Sequence, residues 1–211
     1  MVREAADAGV PLDLLAVREG DRFEVPAART VVLEERLFNA LTQTITPQGV
    51  MAVARVSERP FAEVLATARA ARWPLVVLDR VQDPGNVGTI CRTAAAAGAP
   101  ALAVLPGSAD PFGPKAVRAS AGNVFRLAVG RAEPAHIQGL RAFGAAASGG
   151  APLLSAPIEK SDLLLLGSEA HGLSRSDVEL VTIPVADEVE SLNVAAAAAV
   201  LLFEIRRRRQ A

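Results

Sequence analysis

Three runs in this chain are apolar at every position: Pro74–Leu78, Ala101–Leu105 and Leu163–Leu166. A strand with one wet face alternates apolar and polar residues. A strand with no polar position must be covered on both sides, which a parallel sheet flanked by helices achieves. Segments with helical spacing fall between these runs: Thr89–Ala97, Lys115–Ala121, His136–Phe143 and the closing Asn193–Arg208. Val124–Ala128 and Pro152–Leu154 read as further extended pieces. Strands alternating with helices predict an α/β domain built on a mostly parallel sheet.

That domain is expected over residues 73–211. Residues 1–56 read as a smaller α/β unit, with strands at Leu12–Val17, Thr30–Leu33 and Val50–Val56 and a helix over Glu34–Leu41. Met1–Ala8 reads as the tail of a helix with nothing before it to pack on, so this unit is expected to be abbreviated. Residues 57–72, with Pro60 at the start and Phe61, Val64, Leu65 and Ala68 at helical spacing, are expected to form a linker helix.

Composition narrows the partners. Aromatics make up 4% of the residues and tyrosine is absent, which disfavours a stacking platform for single-stranded nucleic acid. With 22 basic against 23 acidic residues there is no general positive coat, so an RNA partner would need a local cluster. Arg206-Arg207-Arg208-Arg209 is the obvious one; the same run also reads as a solvated helix end whose cations offset the helix dipole. Cys91 is the only cysteine, so neither an intramolecular disulfide nor a Cys-rich zinc site is available, and no metal is expected. No apolar run reaches the roughly 20 residues of a membrane span, and the N-terminus lacks a signal-peptide pattern. The chain is expected to be soluble and cytoplasmic, without a membrane partner.

Three motifs carry chemistry. In the first, Leu78-Asp79-Arg80-Val81-Gln82-Asp83-Pro84-Gly85-Asn86-Val87-Gly88, a buried strand turns into a helix starting near Gly88, with Arg92 following. Asn86 and Arg92 are thereby placed at the carboxyl end of a strand, where open α/β sheets hold their ligands. Asn86 also suits a helix cap. In the second, Leu163–Leu166 runs directly into Gly167-Ser168-Glu169-Ala170-His171-Gly172. Glycine at a strand end lets a ligand approach the backbone, and Glu169 there needs a polar partner if buried. In the third, Ile183-Pro184 precedes Ser191-Leu192-Asn193-Val194, which opens an Ala-rich helix that Ser191 or Asn193 could cap. Gly85-Asn86-Val87-Gly88 does not supply the phosphate loop of a dinucleotide-binding oxidoreductase.

In order and combination, Asn86-x-Gly88-x-x-x-Arg92, Gly167-x-Glu169-x-x-Gly172 and Ile183-Pro184 with Ser191-Leu192-Asn193-Val194 resemble the SpoU (TrmH-like) RNA ribose 2′-O-methyltransferases of the SPOUT superfamily. The resemblance runs from Pro74 to the C-terminus. Thr44–Val50 is similar, more loosely, to the end of the ribosomal-protein-like substrate-binding domain that many members carry.

The resemblance implies a C-terminal trefoil knot, S-adenosyl-L-methionine as methyl donor and a homodimer. It implies donor contacts, mostly through backbone groups, at Ser155, Ala156, Gly167, Ile183 and Leu192. Arg92 would meet the 2′-hydroxyl, with Asn86, Glu169, Ser191 and Asn193 around it. Arginine holds its proton firmly, so Arg92 suits an RNA phosphate or a developing alkoxide better than the role of base. Structured RNA is the implied partner, ribosomal RNA first and transfer RNA second. A non-catalytic RNA-binding protein of the same fold is the alternative.

Overall fold

The computed structural model describes residues 1–42, 46–168 and 172–210. Glu169, and Thr44 and Ile45 of the looser N-terminal resemblance, lie outside the described residues. The chain divides into two compact units, Met1–Ser57 and Glu58–Ala211.

The first unit holds helix α1 (Val2–Asp7), strands β1 (Leu12–Arg18) and β2 (Thr30–Leu33), helix α2 (Glu35–Leu41) and strand β3 (Val50–Ala54). Its sheet has the order β2-β1-β3, with β1 parallel to β2 and antiparallel to β3. The central strand supplies the core through Leu12, Leu15, Ala16 and Val17, and α2 adds the fully buried Phe38.

The second unit begins with helix α3 (Phe61–Ala70) and continues through β4 (Leu75–Asp79), α4 (Pro84–Ala97), β5 (Ala101–Val104), α5 (Pro114–Ala119) and β6 (Ala128–Arg131). Strands β7 (Ala142–Ala146), β8 (Ala151–Pro152), β9 (Leu163–Gly167) and β10 (Glu179–Thr182) follow, and helix α6 (Val194–Gln210) closes the chain. The seven strands pair in the order β6-β5-β4-β9-β7-β10-β8, and every pairing is parallel.

Strand periodicity explains the absence of polar positions. Leu75 and Val77 face one layer, where Val64 and Ala68 of α3 cover them together with Leu163 and Leu165. Val76 and Leu78 face the other, under Val87, Ile90 and Ala94 of α4 and Ala198, Leu201 and Leu202 of α6. Successive side chains point to opposite faces, so a strand coated on both sides is apolar throughout. The helix expected as a connector is thus one of the sheet's covering layers, its Val64 and Ala68 fully buried.

Sequential strands step outward from β4 to β6, and the chain then returns so that β9 pairs directly with β4. The strand order changes direction there, and α/β sheets present ligand crevices beyond the carboxyl ends of such strands.

Four local expectations are corrected. His136–Phe143 is not a helix: a short 3-10 turn at Pro134–Ile137 gives way to β7. β7 forms between β9 and β10, and Gly144 within it leaves room for Leu173 to pack directly on the strand. Pro152–Leu154 contributes only Ala151–Pro152 at the sheet edge. Val124–Ala128 opens as a 3-10 turn at Asn123–Arg126 before β6. Helix α4 starts at Pro84 rather than near Gly88, because Asp83 caps it: the Asn86 N–H donates to Asp83 Oδ2 at 3.1 Å, and Pro84 fills the first turn. Strand β10 had no counterpart in the sequence reading.

Candidate active site

The end of β4 delivers the chain to the first turn of α4. There Lys115 Nζ donates to Asp83 Oδ1 at 2.8 Å, and that bond, with the Gly85 N–H, holds the Asp83 carboxyl below its usual range. Asp83, not Asn86, is the cap, which leaves the Asn86 side chain for another use. Its Oδ1 accepts a hydrogen bond from Asn193 Nδ2 at 3.1 Å, across 107 residues of sequence. Asn193 Oδ1 accepts from the N–H groups of Ala195 and Ala196 at 3.0 and 3.3 Å, so the same side chain caps α6. Capping and bridging are therefore both present in Asn193, and the first and third motifs are joined by one amide pair. Gly88, one turn into α4, permits the closest packing in this corner, since a Cβ there would strike the Ala116 carbonyl oxygen of α5.

Beside this junction, a cavity of about 600 Å³ is lined by Ala145–Ala147 at the end of β7, Gly167, Ser168, Gly172 and Leu173 after β9, and Ile183, Ser191 and Leu192 after β10. At Gly167 a Cβ would lie 2.7 Å from both C and O of Gly172, so the two backbones run against each other only because the position is glycine. Ser168 and Gly172 exchange backbone hydrogen bonds of 3.1 and 2.8 Å, which hold these two residues together.

Glycine, alanine and aliphatic residues dominate the lining, so most of its polar atoms are backbone N–H and C=O groups. Arg175 and Glu190 are the charged lining residues among those described. The Arg175 guanidinium is already engaged, with two bonds of 2.7 Å to the Asp177 carboxylate and one of 2.6 Å to the Ile137 carbonyl.

Of the residues singled out from the sequence, Gly167, Ile183, Ser191 and Leu192 line the cavity, and Asn86 and Asn193 meet at the adjacent junction. Ser155 and Ala156 are not on the lining. Ser155 Oγ donates to the Pro152 carbonyl at 3.0 Å, and buried Ala156 offers its carbonyl to Arg208. Ala145–Ala147 are on the lining. The sequence reading missed them because it took the preceding segment as helix; the signal was Gly144 set among alanines. Arg92 is exposed on α4, about 9 Å along the helix axis from Asn86. It does not reach the cavity lining of its own chain. Glu169 lies outside the described residues.

The arginine cluster is not a free basic patch. Arg206 Nη1 donates to the Ala96 and Ala97 carbonyls at the end of α4, at 3.1 and 3.2 Å. Arg207 pairs with Glu204 at 2.8 Å, and Arg208 bonds Glu204, Glu159 and two carbonyls. Arg209 donates to the Ala71 carbonyl at 2.6 Å and lies over the Trp73 ring. Cys91 is buried within the core, which pushes its thiol up to about 12 and keeps it protonated and unreactive.

The sequence model of the SpoU rRNA Methylase family matches residues 74–203, from β4 into α6. The chain belongs to this family. The 23S rRNA (guanosine(2553)-2'-O)-methyltransferase RlmP of Bacillus subtilis is 39% identical over 186 residues, which are 83% of this chain and 71% of that protein. Among solved SpoU structures, AviRb from Streptomyces viridochromogenes in complex with AdoMet covers 100% of this chain and 88% of its own, with TM-score 0.85 and 27% identity. The AdoMet-bound rRNA methyltransferase from Sinorhizobium meliloti covers 98% of this chain and 84% of its own, with TM-score 0.83 and 29% identity. The parallel seven-stranded α/β architecture is shared with these SpoU structures.

Proposed function

We propose that this chain transfers the methyl group of S-adenosylmethionine to a ribose 2′-hydroxyl of structured RNA, with ribosomal RNA the first substrate and transfer RNA the second. The observation that carries the proposal is the Asn86–Asn193 bond beside a cavity walled by small residues. The named activities of relatives supply the substrate class: RlmP is a 23S rRNA 2'-O-methyltransferase, and the two solved neighbours hold AdoMet.

The residues fit the donor. A cavity of about 600 Å³ lies within the range of small-molecule sites, roughly 300–1,000 Å³. Backbone groups at Gly167, Ile183 and Leu192 suit the hydrogen-bonding edge of a neutral adenine, and the glycine and alanine walls leave room for its flat face. When bound, the donor supplies a methyl group activated by a sulfonium. Ser191, at the cavity edge, and the Asn86–Asn193 pair orient the incoming ribose. Arg92 holds an RNA phosphate or stabilises the oxyanion that develops on the 2′-oxygen, while the proton leaves to water or a neighbouring group. Glu169 belongs to the same set by its place in the second motif.

Arg92 stands away from the cavity of its own chain, which supports a homodimer in which one copy's Arg92 serves the partner's cavity. The insertion of β9 between β4 and β7 supports a C-terminal trefoil knot of the SPOUT kind. We assign residues 1–56 to docking RNA, and the whole protein to the cytoplasm; among the described residues no helix is long and apolar enough to cross a membrane.

Labelled methyl transfer from S-adenosylmethionine to total RNA, followed by mapping of the modified ribose, tests the proposal. Label confined to a 2′-O-methyl group of ribosomal RNA is expected. RNA binding without transfer of label would overturn it in favour of a non-catalytic binding protein.

A further inference from the structure

The cavity wall at Gly172–Ser174 is tied to the end of β4 by two residues that the reading above leaves without a role. Asp79 is 1% exposed, although it is a carboxylate at the end of an apolar strand. Its Oδ2 accepts the Ser174 N–H at 2.5 Å, 95 residues away in sequence. Arg80 Nη2 lies 3.4 Å from the carbonyl oxygen of Gly172. The two contacts bracket Leu173, whose side chain lines the cavity and packs on Gly144 of β7. Asp79 is also the direct strand partner of Gly167, so this one residue joins the end of β9 to Ser174.

Arg80 holds this position at a cost. Its φ is +58°, in the left-handed region that side chains other than glycine seldom adopt. Ser108 imposes it: the hydroxyl donates to the Leu78 carbonyl at 3.1 Å and accepts the Val81 N–H at 3.0 Å, which pinches Asp79 and Arg80 into a reversal. Gly107 lets the Arg80 stem pass, since a Cβ there would lie 3.1 Å from Arg80 Cγ. The pair is also incompletely bonded. Arg80 Nε and Asp79 Oδ1 are 3.4 Å apart, both buried, and neither atom makes a hydrogen bond among the described residues. A turn that served only to leave the strand would be more stable with glycine at position 80. Strained backbone of this kind persists where it fixes a ligand wall.

We propose that Asp79 and Arg80 are positioning residues that set the Gly172–Ser174 wall and so determine affinity for the methyl donor, without touching the donor themselves. The proposal rests on the donor-binding reading of the cavity. Removing the Arg80 side chain frees the wall and relieves the backbone, but it also leaves the buried Asp79 carboxylate without its cation, so stability falls as well. A purely structural residue would lower Tm and leave the affinity of the folded protein unchanged.

The experiment is calorimetric binding of S-adenosylmethionine to the intact protein, with thermal melting of the same samples. Arg80→Gly is expected to weaken donor binding about tenfold, the scale of one lost charge-assisted hydrogen bond, in titrations run well below its lowered Tm, where the protein is fully folded. In turnover the donor KM rises and kcat at saturating donor is kept. Arg80→Lys restores part of the affinity. Asp79→Asn, which keeps the acceptor for Ser174 but sets an amide against Arg80, also weakens binding. Arg80→Gly binding the donor as tightly as the wild type would overturn the proposal. So would an affinity loss no larger than the unfolded fraction explains in both Arg80→Gly and Asp79→Asn. Failure of the wild type to bind S-adenosylmethionine would instead remove the functional reading beneath it.

Discussion

The two ends of helix α6 carry the sequence's two most conspicuous polar clusters, and the fold uses them in opposite ways. At its start, Asn193 caps the helix and reaches Asn86 beside the cavity. At its end, four consecutive arginines look like a nucleic-acid patch, yet their guanidinium groups bond carbonyls and carboxylates of the same chain. A modest amide therefore lies next to the chemistry, while the strong charge closes the fold. Charge density in a sequence reports neither exposure nor availability.

The comparison makes substitutions near the first end costly in transfer and those at the second costly in stability. The largest effect is expected for Arg92→Ala, on the helix whose first turn Asn193 contacts. Methyl transfer should fall by at least ~10²-fold, the scale of a lost charge-stabilising donor, while donor affinity is kept. Single-turnover labelling with isothermal titration checks both, and unchanged turnover removes Arg92 from the mechanism. At the other end, Arg208→Met should lower unfolding free energy by about 2–3 kcal/mol, because Glu159 and two carbonyls lose a largely buried partner. Urea titration reads the loss, and transfer per folded molecule should not change. A transfer defect exceeding the unfolded fraction would mean that Arg208 also serves the substrate.

Asn193 separates cap from bridge. Asn193→Asp keeps an acceptor for the Ala195 and Ala196 N–H groups but removes the donor to Asn86. Stability should hold while transfer drops about tenfold, the equivalent of roughly 1.4 kcal/mol. Asn193→Ala should in addition cost about 1 kcal/mol of stability as a lost cap. If Asn193→Asp is fully active, capping is the residue's whole role.

The smallest effect concerns acid. Hydrogen bonds from Arg207 and then Arg208 hold the Glu204 carboxyl at about 2, against an ordinary 4.5. A depressed carboxylate stabilises the fold above its unfolded value and loses that contribution as pH falls through its folded one. Stability should therefore decline between pH 4.5 and about 2 more steeply in the wild type than in Glu204→Gln, as followed by urea midpoints across that window.

Much of this was legible in the sequence. Leu75–Asp79 and Leu163–Gly167 announced a doubly covered parallel sheet because no position in either run tolerates water until the strand ends. Gly167 stood out as glycine at the end of a buried strand, and Asn86, Ser191 and Asn193 as polar residues at helix starts, whereas a place for Ile183 and Leu192 at the cavity came only with the family resemblance. What stayed hidden depended on long-range packing. The spacing over His136–Phe143 reads as helix, yet β7 begins at Ala142, where β9 and β10 flank it. Ser155 and Ala156, implied by the family resemblance, lie off the cavity lining, which Ala145–Ala147 join. Three of the four arginines of α6 could not be assigned from sequence because Arg206, Arg208 and Arg209 bond carbonyls up to 138 residues away.

The most direct measurement is the location of S-adenosylmethionine in a crystal of its complex with this protein. The account predicts the adenosine against the backbone of Gly167, Ile183 and Leu192, with Ala145–Ala147 as the facing wall. A donor bound at the Ser155–Ala156 turn, or no bound donor at saturating concentration, would contradict it.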